Sequence, residues 1–412
     1  MSGDISGDTL SASEAETFRV RCRVLLDEHA TGVRFNGPDP RDEQSIGQNK
    51  AFQGKVAAAG LAGLTIPTEF GGAGLTPTHD RIWREEYSNY PDMTGQLTIS
   101  HGMCLPMVTE YGTDDQKRKY LPDLISAEAV WCQMFSEPGA GSDVASLQTK
   151  AERDGDEWTI NGQKVWTTLA HVCDYGIVIV RTDPDQIKHA GISMFIVDMH
   201  DPAIEVRAIH QIDGGMHFNE VFFNNVQVPA ADMLGPYNEG WRLATAMLMY
   251  ERVAIGTGSG SGVSAPHSRR LIDHATKIGR INEPVLRDKL MKLYCDETAK
   301  SLVGMRTRAE LKAGKTPGPG GSLGKLHSSN IMWTVRELAN EVIGMECDAY
   351  MPGDKGEVWA GTILSSFMAS IAGGTDEIQR NIIGDRVLGL PREPSVDKGV
   401  PFKDLQVGTQ SQ

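Results

Sequence analysis

The sequence predicts an α+β multi-domain chain in which a helical unit, a β unit and a second helical unit follow one another. Three observations carry this. The 412 residues exceed what one hydrophobic core usually serves. Apolar residues recur at helical spacing in both outer parts of the chain. Between about 131 and 237 they give way to short runs rich in Ile, Val, Phe and Thr. The domains expected are 1–130, 131–237 and 238–412.

In the first unit, "ETFRVRCRVLLDEHA" and "NKAFQGKVAAAGLAGL" show helical spacing, punctuated by "NGPDP", "FGGAGLTPT" and "YPDM". The β unit reads as "EWTINGQKVWTT", "YGIVIVRT", "GISMFIVDM", "AIEVRAI" and "NEVFFNNVQVP". Asn161-Gly162 has the signature of a hairpin turn, because a type I′ turn needs positive φ. After "GPYNEGW" come "RLATAMLMYERVAIGTGS", "PVLRDKLMKLYCDETAKSLVGMRTRAELKA" and "IMWTVRELANEVIGM", with "KTPGPGGSLG" at 315–324 as a linker.

The formal charge of −14 and pI near 5.3 argue against a polyphosphate-binding surface, so nucleic acid is not an expected partner. The six cysteines, at 22, 104, 132, 173, 295 and 347, have no CxxC or metal-ligand spacing and suit a reducing compartment. No apolar run is long enough to span a bilayer, and the polar, acidic N-terminus lacks the pattern of a secretory signal. The expectation is a cytoplasmic protein without a metal.

Two stretches carry chemistry. In "FSEPGAGSDVASLQTK" the glycines of "EPGAGS" can bring backbone N–H groups and the hydroxyls of Ser136 and Ser142 close to an anionic or polar ligand, or simply form the loop that opens the β unit. In "MASIAGGTDEIQRNIIG" (368–384), Ile371, Ile378, Ile382 and Ile383 share a helical side, and Gly373-Gly374 would break that helix near its start.

Taken together, "SEPGAGSD", "NGQKVWTT", "VPAADMLG" and "GGTDEIQRNIIG", in the α, β, α order, resemble the acyl-CoA dehydrogenase flavoprotein family along nearly the whole chain. The resemblance implies an N-terminal helical domain, a central β-barrel and a C-terminal four-helix bundle. It implies FAD at the barrel's edge and α,β-dehydrogenation of an acyl-CoA thioester, as in fatty acid β-oxidation. It also implies electron delivery to an electron-transferring flavoprotein and a homotetramer or dimer. The flavin-binding segment falls on Gln133, Met134, Phe135, Ser136, Gly141 and Ser142, with Ser142 also near the thioester. Trp166 would stack on the flavin, with Thr167 beside it and Thr168 toward N5, while Thr375 and Glu377 would also contact FAD. The alternative for Trp166 is a core aromatic that closes the barrel.

The implied reaction needs a carboxylate to take the α-proton while the β-hydride passes to the flavin. Many members carry that glutamate in "YEGT", where this chain has Ala372-Gly373-Gly374-Thr375. Asp376 and Glu377 lie past the turn in the family pattern and are not taken as the base. Branches resembling isovaleryl-CoA and long-chain dehydrogenases place the base before an arginine on another helix, and Glu251-Arg252 in "LMYERVAIG" falls there. That helix is apolar all round, so burial of Glu251 is expected. A structural ion pair is the competing role for Glu251. Arg252 matches an arginine that holds the CoA ligand or the turn, and Gly373 keeps a backbone N–H for the thioester carbonyl, with Gly374 beside the substrate.

The resemblance departs at the adenosine half of the FAD site. The family's "RxxFG" becomes Ile278, Ile281 and Asn282, and its "QxxGGxG" becomes "ANEVIGMECDAYMPGDKG". Arg280 or Arg287 could supply the cation by a local shift, or an unlike subunit could complete the site in a hetro-oligomer acting on bulky thioesters such as steroid side chains. An oxidase or monooxygenase of the same fold and a non-catalytic structural subunit are the competing functions.

Overall fold

The computed structural model describes residues 10–30, 43–256, 266–312, 321–350, 355–392, 394 and 397–405. The N-terminal helices are α1 (Ala12–His29), α2 (Glu43–Ala58), α3 (Pro77–Tyr87), α4 (Leu105–Tyr111) and α5 (Asp114–Ser126). Capping boxes at Ser11/Glu14 and Thr113/Gln116 start α1 and α5 by satisfying backbone donors that have no partner within the helix. A π turn, Ser100–Cys104, leads into α4 and buries Met103 and Cys104. "NGPDP" lies outside the described residues.

The middle unit is one curled, seven-stranded sheet: β1 (Trp131–Met134), β2 (Lys150–Asp154), β3 (Glu157–Thr168), β4 (Tyr175–Arg181), β5 (Ile192–Asp198), β6 (Ile204–Ala208) and β7 (Phe218–Pro229). Its order is β1-β4-β2-β3-β7-β6, with β5 antiparallel on β4 and β1 parallel to it. The strands β4 and β5 are buried on both faces, which is why they read as unbroken apolar runs rather than as alternation.

Asn161-Gly162 is not a hairpin turn but lies within β3, where the register against β7 slips. The hairpin turn lies earlier, between β2 and β3, where Gly155 has φ 59°. Strand β2, "KAERD", buries only Ala151, so its polar residues conceal the partner strand in the sequence. Gly162 is instead a close-approach position, since a Cβ there would sit 2.4 Å from Thr149 Oγ1.

The C-terminal helices are α6 (Gly240–Gly256), α7 (His267–Lys277), α8 (Pro284–Lys312), α9 (Gly321–Ile343), α10 (Lys355–Ser365) and α11 (Asp376–Ile382). Leu271 of α7, Leu290 of α8, Val335 and Leu338 of α9 and Trp359 of α10 share one core. Helix α6 also touches α9 but gives Leu243, Ala244 and Met247 to the core of the N-terminal helices, so it ties the units together. Of the expected linker, 315–320 lie outside the described residues, and Gly321–Gly324 already belong to α9. No helix among the described residues is long and apolar enough to cross a membrane.

His101 in the π turn donates from Nε2 to the Leu124 carbonyl at 2.8 Å, and burial pushes its imidazole down to about 4. The unfolded chain takes up that proton near the ordinary histidine value, so this group costs stability as pH falls from about 6.5 to about 4, by about 3 kcal/mol at most. His101→Gln should flatten that part of the profile, as read from urea midpoints between about pH 4.5 and 7.

Candidate active site

The glycine pair of "MASIAGGTDEIQRNIIG" is a left-handed turn, with φ 68° at Gly373 and 90° at Gly374. Thr375 follows as the N-cap of α11, its hydroxyl accepting from the Ile378 N–H at 3.3 Å. The turn is pinned by Gln379, a buried residue whose Nε2 donates to the Gly373 carbonyl at 2.9 Å and to that of Gly374 at 3.4 Å. A side chain at 374 would meet that amide at 2.7 Å. A Cβ at 373 would meet Oε1 of Glu251, 3.7 Å away.

Glu251 thus stands in front of the direction in which residue 373 has no side chain. On α6, Ala244, Met247 and Glu251 follow one another at three- and four-residue steps, on one face. The first two are fully buried and Glu251 is half-buried at the end of that stripe. The expected burial all round is corrected: Thr245 and Met249 are exposed on the other side, Met249 at 43%. The backbone of Arg252 continues α6, and its side chain lies outside the described residues.

The neighbouring acids are committed elsewhere. Burial pushes Asp376 upward, but hydrogen bonds from Ser329, Lys325 and Ser370 outweigh it and hold the carboxyl below its ordinary range, with Lys325 Nζ at 3.2 Å. Glu377 is exposed on the first turn of α11 and pairs with Arg380 at 3.6 Å.

The glycine-rich segment and the end of β3 lie side by side, joined by the Val165 N–H donating to the Ser136 carbonyl at 2.9 Å. Gln133 and Ser136 are half-buried, Met134 and Phe135 buried, and Gly141 and Ser142 exposed. A Cβ built on Gly139 or Gly141 would meet only open space. Trp166 is 58% exposed, edge-on to Phe218, and has φ 60°, a costly backbone state for a bulky residue. It is not a core aromatic. Thr168 is half-buried, whereas Thr167 turns inward, its Oγ1 buried without a hydrogen-bond partner among the described residues. These two adjoining segments thus offer an exposed indole, side-chain-free glycines and the Ser136 and Thr168 hydroxyls, the kinds of group that a flat ring with polar edges would need.

One pair behind this surface was missed in the sequence. Lys164 and Glu137 are both buried, 2.8 Å apart. Lys164 Nζ also donates to the Phe135 carbonyl at 3.1 Å, and Glu137 accepts from the Gln148 and Thr149 N–H groups at 2.6 and 2.9 Å. Burial pushes Glu137 upward, but Lys164 and these donors outweigh it and hold the carboxyl below its ordinary range. Burial pushes Lys164 downward, opposed by Glu137. The inward phase of Lys164 on β3 was the available signal.

In the stretch aligned with the family's adenosine motif, Ile278 is exposed, and Arg280 is held by Glu283 at 2.8 and 3.0 Å and by the Glu341 carbonyl. Of the two cations considered for the phosphate, Arg280 is thus engaged in a surface ion pair and Arg287 is exposed on α8.

Three family models match: "Acyl-CoA dehydrogenase, N-terminal domain" over 14–128, "middle domain" over 132–226 and "C-terminal domain" over 238–388. The chain is 36% identical over 386 residues to acyl-CoA dehydrogenase IpdE1 of Mycobacterium tuberculosis, covering 92% of this chain and 99% of that protein. Among solved structures, the ChsE4-ChsE5 complex from Mycobacterium tuberculosis superposes with TM-score 0.72 at 26% identity, covering 93% of this chain and 99% of that one. A variant of the Tcur3481-Tcur3483 steroid ACAD gives 0.72 at 25%, covering 93% and 100%.

Lys164→Ala leaves Glu137 buried and unpaired and should cost about 3–5 kcal/mol in urea denaturation. Lys164→Met with Glu137→Gln should recover most of that loss, because neither site then holds an unpaired charge.

Proposed function

The chain belongs to the acyl-CoA dehydrogenase family, and from that premise we propose that it converts an acyl-CoA thioester to its trans-2-enoyl-CoA with Glu251 as the base. The enzyme is an FAD-dependent oxidoreductase. The observation that carries the residue assignment is the 3.7 Å between Glu251 Oε1 and the direction of an absent side chain at Gly373.

FAD, when bound, supplies the acceptor for the β-hydride. Its ring would be held by the backbone of Gln133 to Ser136, by Gly141 and Ser142, and by Trp166, Thr167 and Thr168, with Thr375 and Glu377 toward its remainder. Only backbone is available from Met134, Phe135 and Thr167, since their side chains are buried, and the Thr375 hydroxyl already caps α11. The Gly373 N–H donates to the thioester carbonyl, which acidifies the α-carbon, and Glu251 takes the proton from it. Ser142 and Gly374 line the thioester, and Arg252 is the third residue assigned to it, its side chain lying outside the described residues. Electrons leave to an electron-transferring flavoprotein, in a β-oxidation step of the fatty acid type carried out in the cytoplasm, a setting consistent with five buried free cysteines.

The small residues at 373 and 374 leave room for a bulky acyl group, and two of the structural neighbours are the ChsE4-ChsE5 complex and a steroid ACAD. A second reading is favoured by the commitment of Arg280: this chain is one subunit of a hetero-oligomer whose unlike partner completes the adenosine site. Exposed apolar residues on the C-terminal helices, such as Leu302 and Met305, suit a subunit interface in a tetramer or dimer of either kind.

Glu251→Gln should keep its flavin and slow anaerobic bleaching by CoA thioesters about 10³-fold, within the usual worth of a general base. A Gln variant bleached at the wild-type rate would remove the assignment. In the same preparations, flavin near one per chain supports self-sufficiency, flavin-free protein supports the unlike partner, and oxygen uptake during turnover would mark an oxidase.

A further inference from the structure

Residues 397–405 return to the middle domain and are held there by backbone and side chains. Pro401 bridges Ile187, and the Phe402 and Lys403 N–H groups donate to the Gln186 and Pro184 carbonyls at 2.8 and 3.0 Å. Lys403 pairs with Asp185 at 2.6 Å. The buried Phe402 ring lies 3.7 Å from the guanidinium of Arg181, which is itself 4% exposed.

Arg181 and Lys188 carry this contact onward to the loop after Ser142. The two terminal nitrogens of Arg181 donate to the Lys188 and Ala145 carbonyls, each at 2.7 Å. The Lys188 ammonium sits between Asp397 of the returning segment and Asp143, the latter at 3.0 Å. Asp143 in turn accepts from Ser146 Oγ at 2.5 Å. The returning segment therefore reaches 143–146 by two routes, one through a cation on an aromatic face and one through a shared ammonium.

We propose that residues 397–405 are a strap that sets the position of the Ser142–Ser146 loop, with Arg181 and Lys188 as positioning residues for the acyl-CoA thioester. The assignment rests on the proposed placement of Ser142 beside the thioester. A loop that lost the strap would keep its covalent neighbours on β1 and β2 but sample more conformations, so substrate binding would weaken before the chemical step did.

The test uses full-length holoenzyme carrying Phe402→Ala or Asp397→Asn, with Phe402→Tyr as the conservative control. The strap predicts amide exchange across 143–147 faster by about tenfold and a KM raised about fivefold, with kcat within about twofold and flavin content unchanged. Phe402→Tyr should restore both. Unchanged exchange in Asp397→Asn would overturn the strap, as would faster exchange with an unchanged KM. Wild-type protein that no CoA thioester bleaches would sink the functional reading instead, and the exchange comparison would still decide whether the strap holds the loop.

Discussion

The proposed reaction depends on where a carboxylate can stand over the reacting carbons. A turn that runs through left-handed φ at two successive residues is built at least cost from glycine, and glycine brings no acid. The stripe on α6 that buries Ala244 and Met247 ends at Glu251, whose oxygen faces the turn from 3.7 Å beyond the missing Cβ. Gln379 holds the turn from the other side through its two carbonyls. A backbone donor from the turn and a carboxylate from α6 thus come from different elements, and both are fixed by packing that neither residue supplies.

The second half of the site depends on a different interaction. The Glu137–Lys164 pair costs desolvation, and it is compensated by the hydrogen bonds that each partner adds to backbone groups of the adjoining segments. Those bonds lock the stretch after β1 against the end of β3. Trp166 follows two residues after Lys164, exposed and in a backbone state it would not otherwise favour. The strap at 397–405 extends the same logic to the loop at 143–146, so rigid elements on both sides position one glycine-rich segment.

Much of this was legible in the sequence, for physical reasons that differ by element. The strands β3, β4, β5 and β7 show as runs of β-branched and aromatic residues because they bury one or both faces. Glu251 stood out because an acid in an apolar helix needs a partner or a job, and its carboxylate does face Gly373, while its role as base is the proposal. Strand β2 was not, since it exposes most of its side chains, and that omission turned a bulge at Asn161-Gly162 into an apparent hairpin. The exposed far side of α6 was concealed because a helix that bridges units leaves apolar residues such as Met249 uncovered. Long-range pairs such as Glu137–Lys164 and Arg181–Phe402 join residues whose sequence spacing carries no periodic signal.

The division of labour between α6 and the glycine turn is tested most directly by moving the carboxylate. Glu251→Gly should abolish anaerobic bleaching by a competent CoA thioester, and adding Gly373→Glu should restore it at least tenfold over the single variant, by the effective placement of the same group. Recovery should stay below wild type, because a glutamate at φ 68° costs about 1–2 kcal/mol. A double variant as inert as Glu251→Gly alone, or a Glu251→Gly protein that bleaches at the wild-type rate, would contradict the account.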